Sequence, residues 1–297
     1  MKKTVALLLD QRTNLYQQLL ARGALSSASR LGIELVGPEY ADGSSWTQAE
    51  SINVQLRGAP PDGVVVMIAG SSLTKGPFER LAKAGVAVVL LNRIPEWLAE
   101  LHAQYPRTLV AGVTPDQVGI GRIQGRQASR IVKPGGLVLL LTGTRTSPAA
   151  SQRSEGFRDV VGERLRVNEL DGGWSEEGAE QALAAWFRLG ADRDRVPDLI
   201  ACQNDAMALG ARTALEKQAR SSGVQQLEQV PLTGCDGLAE EGCARAVRGE
   251  LAATIVMPPT TPTAFQILDR YWRSGERTEL VVLEATPFPA LEAMKAT

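Results

Sequence analysis

Polar residues close apolar runs at four places in this chain. Val5–Leu9 runs into Asp10, Val86–Leu91 into Asn92 and Arg93, Leu199–Cys202 into Gln203, Asn204 and Asp205, and Val230–Cys235 into Asp236. Two kinds of chemistry suit such a set. Asp10, Asp205 and Asp236, if brought together, would serve acid–base or glycosidase chemistry. The same carboxylates with Asn and Arg would instead hydrogen-bond the hydroxyls of a small ligand, while Trp174 or Tyr16 covered its apolar C–H face. Local roles compete with both. Asp205 ahead of a helical stretch is a natural N-cap, Asp236 before Gly237 fits a turn, and Trp174 could pack under the helix that follows it. Asp10 has no such local reason.

Other chemistries lack their residues. The single histidine, His102, lies in the polar stretch 96–107 and is expected on the surface, so a Ser-His-Asp triad or a two-histidine metal site has too few parts. The three cysteines, Cys202, Cys235 and Cys243, contain no CxxC pair, which argues against a disulfide framework and a cysteine zinc site. Two of them end apolar runs and read as small buried hydrophobes. Gly119, Gly121 and Gly125 form GxGxxxG inside a helical stretch, the wrong spacing and place for a dinucleotide loop, and suit close helix packing instead. No GxxxxGK[ST] loop is present, and no cofactor or metal is expected. Trp46, Trp97, Trp186 and Trp272 look like helix-packing residues, and Arg122–Arg130 like a solvated helix face.

The elements that position these groups alternate. Strands are expected at Thr4–Leu9, Ile33–Val36, Gly63–Ile68, Val86–Leu91 and Leu109–Val113, with helices at Leu15–Leu31, Thr47–Arg57 and Pro77–Ala84 between them. A second set follows, with strands at Leu137–Leu141, Arg166–Leu170, Leu199–Cys202, Val230–Cys235 and Ala252–Val256. Its helices are expected at Ala149–Val161, Glu176–Arg188, Asp205–Lys217, Leu238–Arg248 and Thr260–Arg273. Another helix starts at Thr114-Pro115-Asp116-Gln117, with Thr as N-cap and Pro at the first position. The near-continuous Val, Ile and Leu content of the strands indicates burial on both faces, hence parallel sheets. An α/β fold of two similar lobes follows. In such sheets ligands bind at the carboxyl ends of the strands, where the polar residues fall.

The whole-chain numbers agree. At roughly 150 residues per domain, 297 residues suggest about two domains. A net charge of -1 gives no pull on nucleic acid or anionic membrane, and no segment approaches the roughly 20 apolar residues of a membrane span. Val5–Leu9 is too short for a secretory h-region of roughly 7–15 residues. The expectation is that a leader has been removed; a native start at Met1 would mean a cytoplasmic protein.

Several segments resemble the type I periplasmic sugar-binding proteins, the ribose-binding group, whose fold is shared with LacI-type repressor effector domains. The longest is Gln203-Asn204-Asp205-Ala206-Met207-Ala208-Leu209-Gly210-Ala211, followed by Asp236-Gly237 and Gly249–Ile255. Arg153-Ser154-Glu155-Gly156-Phe157 and Asn92-Arg93 also fit. The resemblance implies two Rossmann-like lobes with parallel sheets flanked by helices and a three-segment hinge. The lobes would be 1–113 with 258–284 and 114–257 with 285–297, with a ligand cleft between them.

Carried over residue by residue, it implies hydrogen bonds to ligand from Asn14, Arg93, Asn204 and Asp236, and stacking from Tyr16 and Trp174. Five positions depart from the pattern of ribose binders. Asn92 stands for an aspartate, Asp10 for a small polar residue, Gln17 for a second stacking aromatic, Ser151 for an arginine and Met257 for a hinge glutamine. A site built for one hydroxyl pattern rejects isomers that leave its buried groups unpaired, so the ligand is not expected to be ribose. A sugar or related polyol is expected, an anionic sugar is disfavoured by Asp10 and Asp236, and an amino group is favoured by them.

The implied function is a monomeric, periplasmic solute-binding receptor that delivers this ligand to the permease of an ABC-type importer. It would have no nucleic-acid partner and no part embedded in the membrane. Two alternatives stay open. One is the dimeric effector-binding core of a LacI-type regulator or a sensor. The other is a carbohydrate-active enzyme using Asp10 and Asp236.

Overall fold

The computed structural model describes residues 2–70, 74–189 and 195–294. The chain divides into two compact units, one holding 2–115 with 258–283 and the other 116–257 with 284–294. It therefore passes from one unit to the other three times.

In chain order, the first unit begins with β1 (Thr4–Leu9), α1 (Leu15–Leu31), β2 (Glu34–Tyr40), α2 (Ser45–Gln55) and β3 (Gly63–Met67). It continues with α3 (Gly76–Lys83), β4 (Ala87–Leu91), α4 (Leu98–Gln104) and β5 (Val110–Pro115). The second unit opens with α5 (Gln117–Ile131), β6 (Leu137–Thr142), α6 (Pro148–Val161), β7 (Arg166–Asp171) and α7 (Glu176–Leu189). Then come β8 (Leu199–Cys202), α8 (Asp205–Ser222), β9 (Leu232–Thr233), α9 (Ala244–Val247) and β10 (Thr254–Val256). The chain returns to the first unit with α10 (Thr260–Ser274) and β11 (Leu280–Leu283), and ends in the second with β12 (Thr286–Phe288).

The first sheet has the order β11-β5-β4-β3-β1-β2 and is parallel throughout. Strands β3 and β4 are buried along their whole length, which is why they carry no alternation of polar residues. The second sheet runs β7-β6-β8-β9, also parallel, and β10 adjoins β9 through bridges at Thr233–Ala253 and Asp236–Val256. In each sheet a strand with neighbours wound in opposite directions, β1 or β6, marks the point where strand order reverses. Such a switch point is where an α/β sheet opens a crevice at its carboxyl edge.

Helix ends follow their caps. Asn14 Oδ1 accepts from the Gln17 amide at the start of α1, and Gly32, at φ 69°, closes it in the left-handed region. Gly121 and Gly125 let α5 touch α6 backbone to backbone. A Cβ at Gly121 would lie 2.0 Å from the Arg153 carbonyl oxygen, and one at Gly125 2.8 Å from Val160 Cβ. Helix packing is thus the use of that glycine motif.

Several expectations need correction. Thr114 and Pro115 do not start a helix. They pair with Val282 and Leu283 of β11 as the end of β5, and Asp116 caps α5 by accepting from the Gly119 amide. Asp205 is not an N-cap. Asn204 takes that place, so the Asp205 side chain turns inward. The Val230–Cys235 strand is paired as β9 over Leu232–Thr233, and Leu238–Arg248 is a π-helical turn followed by the short α9. The polar stretch 96–107 hides α4, whose Leu98 and Leu101 are buried. His102 is half-buried, its Nδ1 donating to the Val110 carbonyl at 2.7 Å. Trp46 is 74% exposed and packs against no helix face, unlike Trp97, which lies 5.2 Å from the Phe78 ring.

Candidate functional site

The described residues contain four non-glycine residues with φ in the left-handed region: Asp42 (47°), Asn92 (64°), Trp174 (64°) and Asp236 (132°). They follow β2, β4, β7 and β9, so every one lies past the carboxyl end of a strand. Each such backbone costs about 1–3 kcal/mol and persists because its surroundings fix it, which is characteristic of functional sites. Three of the four are among the residues expected to bind ligand.

In the first unit, Asp10 at the end of β1 is 2% exposed. Its Oδ1 accepts from the Gly43 amide at 2.9 Å, and its Oδ2 lies 3.7 Å from Arg93 Nη2. Arg93 is fixed by two further bonds, Nη1 donating to the carbonyls of Ile68 and Gly70 at 3.0 Å each. Burial pushes the Asp10 carboxyl above the usual range, against the opposing pull of Arg93 and the Gly43 amide. Burial likewise lowers the Arg93 guanidinium, with Asp10 opposing. Gln17 does not present its carbonyl to a ligand. Its Oε1 accepts from the amides of Asp10 and Gln11 at 2.8 and 2.9 Å, which shapes the loop after β1. Asn92 is spent at both ends: Nδ2 donates to the Tyr16 hydroxyl at 3.1 Å and Oδ1 accepts from Thr260 Oγ1 at 2.8 Å. The buried Tyr16 hydroxyl in turn donates to the Pro258 carbonyl at 3.1 Å. Asn14 is half-buried and serves as the α1 cap.

In the second unit, Asp205 and Asp236 stand close together but are treated very differently. Asp205 is buried, and its carboxylate accepts from Thr254 Oγ1 at 2.7 Å and from the Gly237 amide at 2.9 Å. Glycines make room for it, since a Cβ at Gly234 or Gly242 would come within 2.0 Å of its oxygens. The Asp236 carboxylate accepts no hydrogen bond among the described residues. Burial and the neighbouring Asp205 charge push Asp236 well above the usual carboxylate range, and Arg153 opposes them.

Arg153 is 4% exposed and gathers this region. Its Nε donates to Gln117 Oε1 at 2.8 Å, and its Nη1 to the Gln203 carbonyl. The sulfurs of Cys235 and Met257 lie 3.6 and 3.7 Å from its terminal nitrogens, and its guanidinium sits 5.2 Å from the Trp174 ring centroid. Trp174 occupies a slot over Gly143, where a Cβ would lie 1.8 Å from the ring. Asn204 holds the Trp174 turn, Nδ2 donating to the Trp174 carbonyl at 3.1 Å. Buried among these groups, the Cys235 thiol is pushed up to about 12 and is inert as a nucleophile at neutral pH.

The structure thus brings Asp10, Asn14, Tyr16, Gln17, Asn92 and Arg93 together in one unit, and Trp174, Asn204, Asp236 and Met257 in the other. Ser151 is exposed on the first turn of α6. Asp10, Arg93, Trp174 and Asp236 keep capacity for a ligand, while Gln17, Asn92 and Asn204 act as positioning groups. Arg153, Gln117, Gln203 and Thr260 carry much of this positioning and were not expected to. Their signal in the sequence is faint, because a buried arginine in a polar helix looks like a surface one. Among the described residues no group of three or more His, Cys, Asp and Glu is placed to hold a metal, and no helix is long and apolar enough to cross a membrane.

Comparison with known proteins points one way. The chain is 27% identical over 259 residues to the ribose import binding protein of Escherichia coli K12, covering 87% of this chain and 80% of that protein. It is 24% identical over 199 residues to a putative rhizopine-binding protein of Rhizobium meliloti, covering 65% of this chain and 60% of that protein's length. Its fold matches that of a periplasmic solute-binding protein of an ABC transporter from Actinobacillus succinogenes 130z, with bound D-allose. That match has a TM-score of 0.83 at 20% identity and covers 98% of both chains. A model of the periplasmic binding protein domain matches residues 5–273, and the chain belongs to that family.

Proposed function

We propose that this protein is the solute-binding receptor of an ABC-type importer, and that its ligand is a sugar or related polyol other than ribose. The observation that carries this reading is the gathering of strained and unsatisfied polar groups past the carboxyl ends of both sheets, where strand order reverses. Relatives named for ribose import and a fold match named for bound D-allose support the ligand class. On this reading the groups that meet ligand are Asp10 and Arg93 in the first unit and Trp174 and Asp236 in the second. The receptor works outside the cytoplasm as a monomer, passes its ligand to a membrane permease, binds no nucleic acid and leaves the ligand chemically unchanged.

A thermal-shift screen against pentoses, hexoses, amino sugars and polyols tests this. A ligand at a hundredfold excess over Kd stabilises the folded state by about 2.7 kcal/mol, enough to move the midpoint by several degrees. A hit among these, recovered unchanged after long incubation, is the expected result. A folded protein that responds to none of them would remove the reading, and slow loss of the ligand would restore the enzyme alternative. Stable dimers in sedimentation would favour the regulator core.

A further inference from the structure

We infer that Gln48, on α2, is the residue that aims Arg93, and that it acts through the backbone of residues 67–70. The consequence for binding rests on the receptor reading above, in which Arg93 meets ligand. The positioning itself does not.

Strand β3 loses its neighbours before its chain leaves the core. Its pairing with β1 ends at Val66 and its pairing with β4 at Met67. The buried backbone beyond still needs partners. Gln48, 1% exposed, supplies them: Nε2 donates to the Met67 carbonyl and Oε1 accepts from the Ala69 amide, each at 2.9 Å. One donor and one acceptor on a planar amide are what a neighbouring strand's peptide group would offer. The segment therefore continues as a strand would. Met67 and Ala69 face Gln48, while the carbonyls of Ile68 and Gly70 face the other way and both accept from Arg93 Nη1 at 3.0 Å. The same segment lies against the turn before α2, where a Cβ at Gly70 would come 3.0 Å from the Gly43 carbonyl oxygen.

Arg93 depends on those two carbonyls for its direction. It sits on a flexible stem and is half-buried. Asp10 attracts it, but at 3.7 Å the pair is too long to be a hydrogen bond and sets no angle. Two acceptors on one nitrogen do set the guanidinium plane, and they leave Nη2 directed towards Asp10. Without Gln48 the Met67 carbonyl and the Ala69 amide would be buried without partners, and the segment would have to move to find them. The acceptors of Arg93 would move with it.

Nitrogen NMR of the arginine-labelled protein, free of ligand, reads this out. In the parent, Arg93 Nη1 and Nη2 should give separate resonances, because the two carbonyls stop rotation of the guanidinium; Arg93→Lys assigns them by their loss. In Gln48→Met, close in volume and without the amide, they should merge. Ile52→Val is the control: it loosens the core face of the same helix, where Ile52 is fully buried, and leaves both Gln48 bonds in place. There the resonances should stay apart. Separate resonances in Gln48→Met, or merged ones in Ile52→Val, would overturn the inference. If Gln48→Met does not fold, Gln48→Glu keeps the acceptor for Ala69 and loses the donor to Met67; its resonances should broaden, and sharp ones would count against Gln48. In titration with D-allose, Gln48→Met should weaken binding roughly tenfold, the low end for a hydrogen bond to a charged group, and should add no loss in an Arg93→Lys background. An equal loss in that background would show that Gln48 acts by a route other than Arg93. A folded parent that binds none of D-allose, D-ribose and myo-inositol would count against the receptor reading alone, and the resonances would still decide what aims Arg93.

Discussion

The two sheets end in different states of electrostatic balance. Past β1 and β4 in the first unit, the buried or half-buried Asp10, Asn92 and Arg93 all have partners. Asp10 has the Gly43 amide and Arg93, Arg93 has two carbonyls, and Asn92 has Tyr16 and Thr260. Past β9 in the second unit, Asp205 takes two donors, and the Asp236 carboxylate has none among the described residues. The first end is organised before a ligand arrives, and its carboxylate and guanidinium can orient hydroxyls without rearranging. At the second end two carboxyls crowd each other, and the half-buried Asp236 keeps acceptor capacity that a ligand can use. Groups that are poorly satisfied in the free protein are the ones with most to gain on binding, so selectivity should reside chiefly at Asp236 and orientation at Arg93.

The largest test of that difference is Asp236→Asn. Hydrogen bonds to a charged group contribute about 1.5–3 kcal/mol, so affinity should fall roughly 10- to 150-fold by titration calorimetry. Free of ligand, the same variant should melt higher than the parent, because it no longer sets a second carboxyl against Asp205. Asp10→Asn should move both quantities in the same directions by less, since Asp10 has an amide and an arginine to hold it. A larger loss of affinity from Asp10→Asn would reverse the assignment of roles.

Gly143→Ala probes the aromatic side of the second unit. The new methyl would lie 1.8 Å from the Trp174 ring and must displace it. Overpacking of this kind costs about 1–3 kcal/mol of stability. Losing the ring as a platform should weaken binding roughly tenfold, the size of an aromatic contact of about 1.4 kcal/mol. Unchanged affinity would mean that Trp174 packs without touching ligand. In the first unit Tyr16→Phe removes a hydroxyl that Asn92 donates to and that donates to Pro258. The expected loss is about 1 kcal/mol in a denaturant titration, with the ring and its contacts kept.

Much of this was legible in the residues, and the gaps have physical causes. Leu15–Leu31 and Leu199–Cys202 match their elements at both ends because a cap or a polar break marks each boundary. In sequence Asp116 is hidden as a cap because Thr114-Pro115 offers the better pattern. What decides between them is β11, a strand whose Leu283 arrives from far along the chain to pair with Pro115 and extend β5. The residues past the strand ends were readable because an open α/β sheet puts its site there. Whether each side chain faces a ligand or its own backbone was not. Asn204 and Asp236 look alike in sequence, yet the first side chain is tied to Met207 and Trp174 and the second has no hydrogen bond among the described residues. Such distinctions depend on donors contributed by segments far apart, such as Thr254 and Gly237 converging on Asp205.

The smallest expected effect is also the most diagnostic, because it is a difference between two curves. Burial raises Asp10, Asp205 and Asp236 in the folded protein above their unfolded values. Below the unfolded carboxylate range, near 3.8 for Asp236, the carboxyl is protonated in both states and contributes nothing. As pH rises, the unfolded chain ionises first and binds fewer protons than the folded one, so stability falls through this window. Above the raised folded value the carboxyl is ionised in both states and the penalty is complete. Other groups titrate in the same range, but they are shared by the parent and Asp236→Asn and cancel in the difference. The gain in melting temperature of the variant over the parent should therefore be near zero in acid, grow with pH and level off. Each kcal/mol corresponds to roughly 2–4 °C in domains of 150–250 residues. A gain that is constant with pH would mean that the benefit is one of packing and that ionising Asp236 beside Asp205 carries no penalty.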